Sequence, residues 1–189
     1  MVVRWKKANF MAIKSIPDKV LYVIATILDH NRICYSLSIG LSVPGDPRRT
    51  KYRRWAEKMI KNKKQRQKIY NALLRLQKRK LIEKKVFKDN AKGYVITPIG
   101  RLLLFGKTAS DIKRKKLPQN QYILVLFDIP EKMHALRDIF RANLKLLNFE
   151  KVQQSVWICR YDVLGPVKKL INDSNLSAYV KLLKIVDAD

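Results

Sequence analysis

Apolar residues recur at helical spacing in three stretches of the first half of the chain. Helices are predicted at about residues 17–28, 50–61 and 64–80, and Pro17 suits the first turn of the first of them. The intervening residues 31–47 contain two prolines and predict a loop or a short hairpin. The third helix has the clearest pattern, because the spacing i, i+3, i+4, i+7 places four apolar residues on one face: Ile69, Ala72, Leu73 and Leu76.

Two short β-like stretches follow the third helix, at residues 81–87 and 94–97. The loop between them runs from Lys88 to Gly93 and has the composition of a hairpin turn. Thr97 and Pro98 then have the residue types of an N-cap and a first helical position. Three helices, a basic hairpin and a closing helix are typical of a winged helix-turn-helix domain, which we place at residues 1–106.

The pattern changes after a basic connecting segment at residues 107–118. The apolar run 122–127 predicts a central strand, and residues 131–147 are strongly amphipathic. Two short strands, a second helix and a last strand are predicted after them, at 149–153, 155–160, 163–172 and 179–186. The order β-α-β-β-α-β predicts a ferredoxin-like domain at residues 119–189. The predicted fold class is therefore α+β, with a winged helix-turn-helix domain followed by a ferredoxin-like domain.

Charge is divided very unevenly between the two halves of the chain. Residues 1–118 contain 31 Lys and Arg and 7 Asp and Glu, whereas residues 119–189 contain 10 and 8. The density is highest in 48–80, with 15 basic residues and the single acid Glu57. Such a field attracts polyanions, and its usual use is to neutralise phosphates with release of condensed cations. The first half of the chain is therefore predicted to bind nucleic acid, with double-stranded DNA as the expected partner.

The candidate DNA contacts lie mainly on the face of the third helix opposite the apolar stripe. They are Lys64, Gln67, Lys68, Asn71, Arg75 and Lys78. In a major groove, the cations would contact phosphates, and the amides Gln67 and Asn71 would have the geometry for bidentate contacts to adenine. A charged helix face is more often merely solvated, but here almost no acid balances it. Further candidates are Arg53 and Arg54 in the second helix and Lys88, Asn90 and Lys92 in the hairpin.

Residues 122–162 carry a family resemblance. The segments LVLFDIPEK (124–132), ALRD (135–138) and FEKVQQSVWICRYD (149–162) resemble the middle domain of the PaaX family of transcriptional repressors. That domain in turn resembles the small ferredoxin-like endonuclease subunit of CRISPR spacer adaptation. The resemblance implies a winged helix, a ferredoxin-like dimerisation module and a role on DNA. PaaX-type repressors carry a further C-terminal region that this sequence does not contain, so no effector sensing is expected from the resemblance.

Asp128 is the one candidate for catalysis. In the endonucleases that this domain resembles, the Asp at this strand end is the proposed metal ligand, and with its symmetry mate it would hold Mg²⁺. The simpler interpretation is that Asp128 caps the helix that begins near Pro130. We therefore predict no enzymatic activity and no cofactor, with a Mg²⁺-dependent endonuclease as the alternative. Cys34 and Cys159 have no partner spacing for zinc or a disulfide.

These features together predict a cytoplasmic transcriptional repressor that binds a near-palindromic operator as a homodimer through its C-terminal domain. No secretory signal or membrane span is indicated by the sequence, and no membrane partner is expected. A second alternative is a non-specific architectural or RNA-binding protein, because the charge exceeds what sequence-specific modules usually carry. The operator, the regulated genes and any effector are not given by the sequence.

Overall fold

The computed structural model describes residues 15–21, 62–86, 92–109 and 112–186. The chain divides into two compact units, with the division between Gly100 and Arg101. We call them the N-terminal unit and the C-terminal unit. The predicted boundaries 1–106, 107–118 and 119–189 stay predictions. Among the described residues, no helix is both long enough and apolar enough to cross a membrane.

The N-terminal unit begins, in its described part, with a short helical segment at residues 16–21. Ser15 caps it, because its side-chain oxygen accepts a hydrogen bond from the backbone N–H of Asp18 at 3.2 Å. Val20 and Leu21 are buried, as the apolar pattern predicted. The rest of this predicted helix, the loop at 31–47 and the predicted helix at 50–61 lie outside the described residues.

The next helix, α1, spans Lys63–Lys78 and is followed by an antiparallel hairpin of β1 (Ile82–Val86) and β2 (Lys92–Ile96). Strand pairing runs from Ile82 opposite Ile96 to Val86 opposite Lys92. Helix α2 then spans Pro98–Thr108. Thr97 caps it: Oγ1 accepts from Gly100 N at 3.1 Å and donates to the backbone oxygen of Lys80 at 2.7 Å. The predicted hairpin and the Thr-Pro helix start are both confirmed.

The C-terminal unit contains residues 101–108 of α2, a four-stranded antiparallel sheet and two further helices. The elements are β3 (Gln121–Phe127), a 3₁₀ turn (Glu131–Met133), α3 (His134–Leu146), β4 (Glu150–Gln153), β5 (Val156–Cys159), α4 (Leu164–Asp173) and β6 (Val180–Val186). The strand order is β4-β5-β3-β6, and every neighbouring pair is antiparallel. This order places β3 at the centre of the sheet and leaves β4 and β6 as its edges. The predicted ferredoxin-like βαββαβ arrangement is confirmed.

Alternation along the central strands decides which side chains form the core. Ile123, Val125 and Phe127 of β3 are buried, whereas the residues between them are only partly buried. The ring of Phe127 meets that of Phe140 of α3 edge to face, with centroids 5.5 Å apart. In β5, Trp157 is buried and stands opposite Val125, so it shares the core face. Cys159, two residues further along β5, is buried as well, as alternation along a strand requires.

The basic residues that precede β3 are hydrogen-bonded to other parts of the C-terminal unit. The backbone N–H of Leu117 donates to the oxygen of Arg160 at 2.9 Å, and that of Asp162 donates to the oxygen of Lys115 at 2.8 Å. These two bonds flank an antiparallel bridge between Lys116 and Tyr161. In addition, Arg114 donates through its guanidinium to Asn148 Oδ1 at 2.9 Å. Residues 114–117 are therefore hydrogen-bonded to the ferredoxin-like domain rather than separate from it.

Candidate nucleic-acid interface

Helix α1 has a defined start and a defined end. At its start, the side chain of Asn62 accepts a hydrogen bond from the backbone N–H of Lys64 at 2.9 Å. At its end, Lys80 adopts a left-handed conformation with φ 56°, and Leu81 N donates to the oxygen of Leu76 at 2.9 Å. The bounds differ by one or two residues from the predicted ones. These caps satisfy backbone groups that an uncapped helix would leave to water.

The two faces of α1 differ as the spacing predicted. The apolar stripe Ile69, Ala72, Leu73 and Leu76 is buried, with exposed fractions from 1% to 4%. The six positions predicted on the opposite side are all exposed, and we call them the outer face of α1: Lys64, Gln67, Lys68, Asn71, Arg75 and Lys78. The helix is thus held by one face and presents cations and amides on the other.

The charge of this region is almost wholly positive. Helix α1 contains six basic residues and no acidic residue. Across residues 62–86, Glu83 of β1 is the one acidic residue, and it too is exposed. Because like charges repel at one-turn spacing, such a helix is destabilised in the absence of counterions or a polyanion. A polyanionic ligand would relieve this repulsion.

Two amides on the outer face contact each other. Gln67 Nε2 donates a hydrogen bond to Asn71 Oδ1 at 3.1 Å, across one helical turn. The bond fixes which end of the Asn71 amide faces Gln67, and the remaining amide hydrogens and lone pairs are available to a ligand. The two residues were predicted as separate base contacts, and the structure brings them together as one hydrogen-bonded pair.

Apolar side chains are also exposed on α1, and the sequence analysis did not single them out. Tyr70 has an exposed fraction of 54% and Leu74 of 44%. At about 100° per residue, both fall outside the apolar stripe, and Leu74 lies close to the angular position of Gln67. A helical-wheel plot of α1 identifies both as apolar residues that lie outside the apolar stripe.

The predicted hairpin contacts are only partly visible. Lys92 is the first residue of β2, where its backbone lies opposite Val86. Lys88 and Asn90 belong to the connection between the strands, and they lie outside the described residues, as do Arg53 and Arg54. That these residues contact DNA stays a prediction.

The prediction that Asp128 caps a helix is wrong. The first helical turn after it has Pro130 at its N-cap position, with no side-chain capping bond, and α3 begins only at His134. A capping side chain accepts from a backbone N–H two or three residues later, but Pro130 has none, and the chain is still extended there. Asp128 is exposed, and its own N–H donates to the oxygen of Tyr179 at 2.9 Å.

The carboxylate nearest to Asp128 in the sequence is already engaged. Glu131 forms an ion pair of 2.7 Å with Arg137, and the hydrogen bond from this guanidinium lowers the pKa of Glu131 below its ordinary value. In the part of the chain that the structure describes, no group of three or more His, Cys, Asp or Glu could hold a metal ion. Asp128 and Glu131 are therefore both exposed near this strand end, and Glu131 is paired with Arg137.

Residues 117–188 match the family model described as PaaX protein central Cas2-like domain. The match contains all six elements of the βαββαβ domain and begins at the segment that pairs with residues 160–162. The resemblance found in residues 122–162 is thereby confirmed for this domain, whereas α1 and its outer face lie outside the match. Comparison with curated proteins and with solved structures found no match.

Proposed function

We propose that this chain is a DNA-binding transcriptional regulator of PaaX-like type, acting as a repressor that binds a near-palindromic operator as a homodimer. The observation that carries the proposal is the outer face of α1, on which every predicted contact is exposed and no acid is present. Binding of such a face to DNA is favourable, because its Lys and Arg side chains replace the cations condensed on the phosphates and release them into solution. The similarity of residues 117–188 to the central domain of PaaX proteins supports a regulatory role.

In this proposal, the N-terminal part is a winged helix-turn-helix domain. Helix α1 is its recognition helix, and the hairpin of β1 and β2 is the wing. Lys64, Lys68, Arg75 and Lys78 contact phosphates and fix the position of the helix on the duplex, whereas Gln67 and Asn71 contact base edges. Lys88, Asn90 and Lys92 add wing contacts, and Arg53 and Arg54 add contacts from the segment that the sequence predicts to be the preceding helix.

The C-terminal domain is the proposed dimerisation module. Helices cover only one face of a ferredoxin-like sheet, and the other face carries the alternate residues of the central strands. On β6, Leu183 has an exposed fraction of 47%. Leu183 stands opposite Leu124 of β3, so the two share a face. A second copy covering this face would bring two recognition helices to the two half-sites of one operator.

The experiment is an electrophoretic mobility shift with the full-length chain. The gene's upstream DNA is compared with a random duplex of equal length and with structured RNA, at 50 and 200 mM salt. A discrete complex with upstream DNA that survives competitor supports the proposal. Complexes that salt abolishes equally for all three nucleic acids would instead identify a non-specific architectural or RNA-binding protein.

The nuclease alternative is tested in parallel lanes that contain Mg²⁺. Cleavage that requires Mg²⁺ and is lost in Asp128→Asn would establish it, with Asp138→Asn as the control for removal of an exposed carboxylate from the same domain. Under the proposed function, the DNA stays intact in every lane. Asp128→Asn then changes neither the affinity of the protein for DNA nor the integrity of the duplex.

A further inference from the structure

Three residues form a strip along the side of α1 that faces away from its buried stripe. At about 100° per residue, Gln67, Asn71 and Leu74 lie within roughly 60° of one another. At about 1.5 Å rise per residue, they span roughly 10 Å along the helix axis, which is about the length of three stacked base pairs. All three side chains are exposed. The strip is therefore short enough to lie against a few consecutive base edges.

The amide pair within the strip has a defined polarity. Because Gln67 Nε2 donates to Asn71 Oδ1, one lone pair of that oxygen is occupied and the other can still accept. Asn71 Nδ2 keeps both of its hydrogens for donation. The adenine edge in the major groove offers one N6–H donor and the N7 acceptor. In this pair the amide of Asn71 presents Oδ1 to Gln67 and leaves Nδ2 free of that contact.

Leu74 adds an apolar group beside this pair. Its exposed fraction is 44%, and it follows Asn71 by three residues. The surrounding helix surface carries six cations and no acid, so a polyanion suits it better than an apolar protein surface. The major-groove edges of DNA present one exposed apolar group, the C5-methyl of thymine. A leucine beside an adenine-binding amide therefore fits an adjacent thymine.

We propose that Gln67, Asn71 and Leu74 together recognise adjacent adenine and thymine bases in the major groove of DNA. In this arrangement Asn71 contacts the adenine edge, Leu74 contacts the thymine methyl, and Gln67 is a positioning residue that orients Asn71. The inference rests on the proposed DNA-binding function and specifies the base pairs that the helix selects. It predicts that each half-site contains two A·T base pairs within three consecutive positions, one whose adenine contacts Asn71 and one whose thymine methyl contacts Leu74.

The first experiment selects binding sites for the full-length chain from a pool of random 20-base-pair duplexes. Enrichment of two A·T pairs within three positions of each half-site is the expected result, and a consensus with at most one A·T pair in each half-site overturns the inference. Failure to bind any duplex at low salt would remove the proposed function itself. The two failures are thus distinguishable.

The second experiment changes single atoms of the selected duplex. Replacing the thymine by deoxyuridine removes only the methyl group, and we expect affinity to fall about fourfold, the factor for one buried methylene-sized group. Leu74→Ala should bind both duplexes equally. Leu146→Ala is the matched control, because Leu146 is a helical leucine of similar exposure, 48%, in the C-terminal unit. Equal affinity of the unaltered chain for both duplexes overturns the role of Leu74.

The third experiment tests the positioning role of Gln67. Replacing the adenine by 7-deazaadenine removes the N7 acceptor, and the unaltered chain should lose roughly fivefold or more in affinity. Gln67→Met should reduce this ratio toward that of Asn71→Ala. Gln67→Lys keeps a donor for Asn71 Oδ1 and should preserve the ratio. A ratio that is the same in Gln67→Met as in the unaltered chain overturns the positioning role.

Discussion

Asn143 of α3 donates a hydrogen bond of 2.9 Å from Nδ2 to the backbone oxygen of Leu102 in α2. The side chain is buried, with 2% exposure, and its Oδ1 lies 2.8 Å from the position that a Cβ on Gly106 would occupy. The close approach of the two helices therefore depends on a glycine in one and a buried amide in the other. A buried amide is costly unless it is hydrogen-bonded, and here the partner is a helix carbonyl.

Asn143→Ala should lower the free energy of unfolding by about 1–3 kcal/mol, because it removes a buried hydrogen bond and leaves a void. Urea denaturation of the full-length chain measures the change. Asn172→Ala is the matched control, since Asn172 is an exposed helical asparagine bonded to Ser177 at 3.1 Å. Its effect should stay within about 0.5 kcal/mol. Equal losses in the two variants would show that the buried amide has no special role.

Gly100 and Gly165 should respond in opposite ways to alanine. A Cβ on Gly100 would lie 2.2 Å from the backbone oxygen of Leu81 and 2.8 Å from Ile96, so the hairpin must shift to admit it. Gly100→Ala should therefore cost about 1–3 kcal/mol of unfolding free energy. A Cβ on Gly165 of α4 meets nothing within 4 Å, and Gly165→Ala should be neutral or stabilise by up to about 1 kcal/mol. Thermal unfolding of both variants measures these changes in stability. A Gly100→Ala variant as stable as Gly165→Ala would show that a Cβ at position 100 meets no steric clash.

Lys68→Ala should weaken binding to every DNA sequence by a similar factor. Lys68 is exposed on the outer face of α1, where a phosphate contact depends on charge and carries no sequence information. Loss of one such contact should reduce the slope of log affinity against log salt by about 0.9. Arg75→Ala should behave in the same way.

The control for these substitutions is Lys132→Ala, which removes an exposed cation from the C-terminal unit. Fluorescence anisotropy at four salt concentrations gives the slopes for all the variants. If Lys132→Ala changes the slope as much as Lys68→Ala does, binding reflects net charge and not the outer face of α1.

Leu183→Lys should convert the proposed homodimer into a monomer. Leu183 is 47% exposed on β6, an edge strand, and a lysine there would place a desolvated charge in the dimer contact. Light scattering coupled to size exclusion measures the mass, with the unaltered chain expected at twice 22.2 kDa. Leu146→Lys, on α3, should leave the mass unchanged. A monomeric unaltered chain would refute the dimer, and a dimeric Leu183→Lys variant would exclude this face.

Cys159 should react slowly with thiol reagents until the domain unfolds. Burial raises the pKa of its thiol, and the side chain is 2% exposed. Because the folded pKa lies above the unfolded one, the thiol contributes stability below the unfolded pKa, about 8.5, and this contribution is lost as pH rises through the folded value. Iodoacetamide labelling of a Cys34→Ser chain, with and without urea, measures the protection. Equal labelling rates in both conditions would contradict it.

Local patterns were enough to predict which face of α1 is buried. The period of this helix identified four core residues, and all four are buried. The exposed candidates on α1 followed from the same period. These features depend on residues a few positions apart, so the sequence carries them directly.

Features that depend on residues far apart in the sequence could not be predicted from local patterns. Two examples are the hydrogen bond from Asn143 to Leu102 and the pairing of Lys116 with Tyr161. A third is the extended segment at Pro130, which leaves Asp128 without a capping role. All three depend on which surfaces of the chain meet. The Gln67–Asn71 bond needed side-chain geometry in addition to helical period. The sequence determined periodicity, charge and helix ends, because these are set by nearest neighbours along the chain. Only the tertiary structure decided the contacts between segments, because each one satisfies a polar group or fills a space that another part of the chain creates.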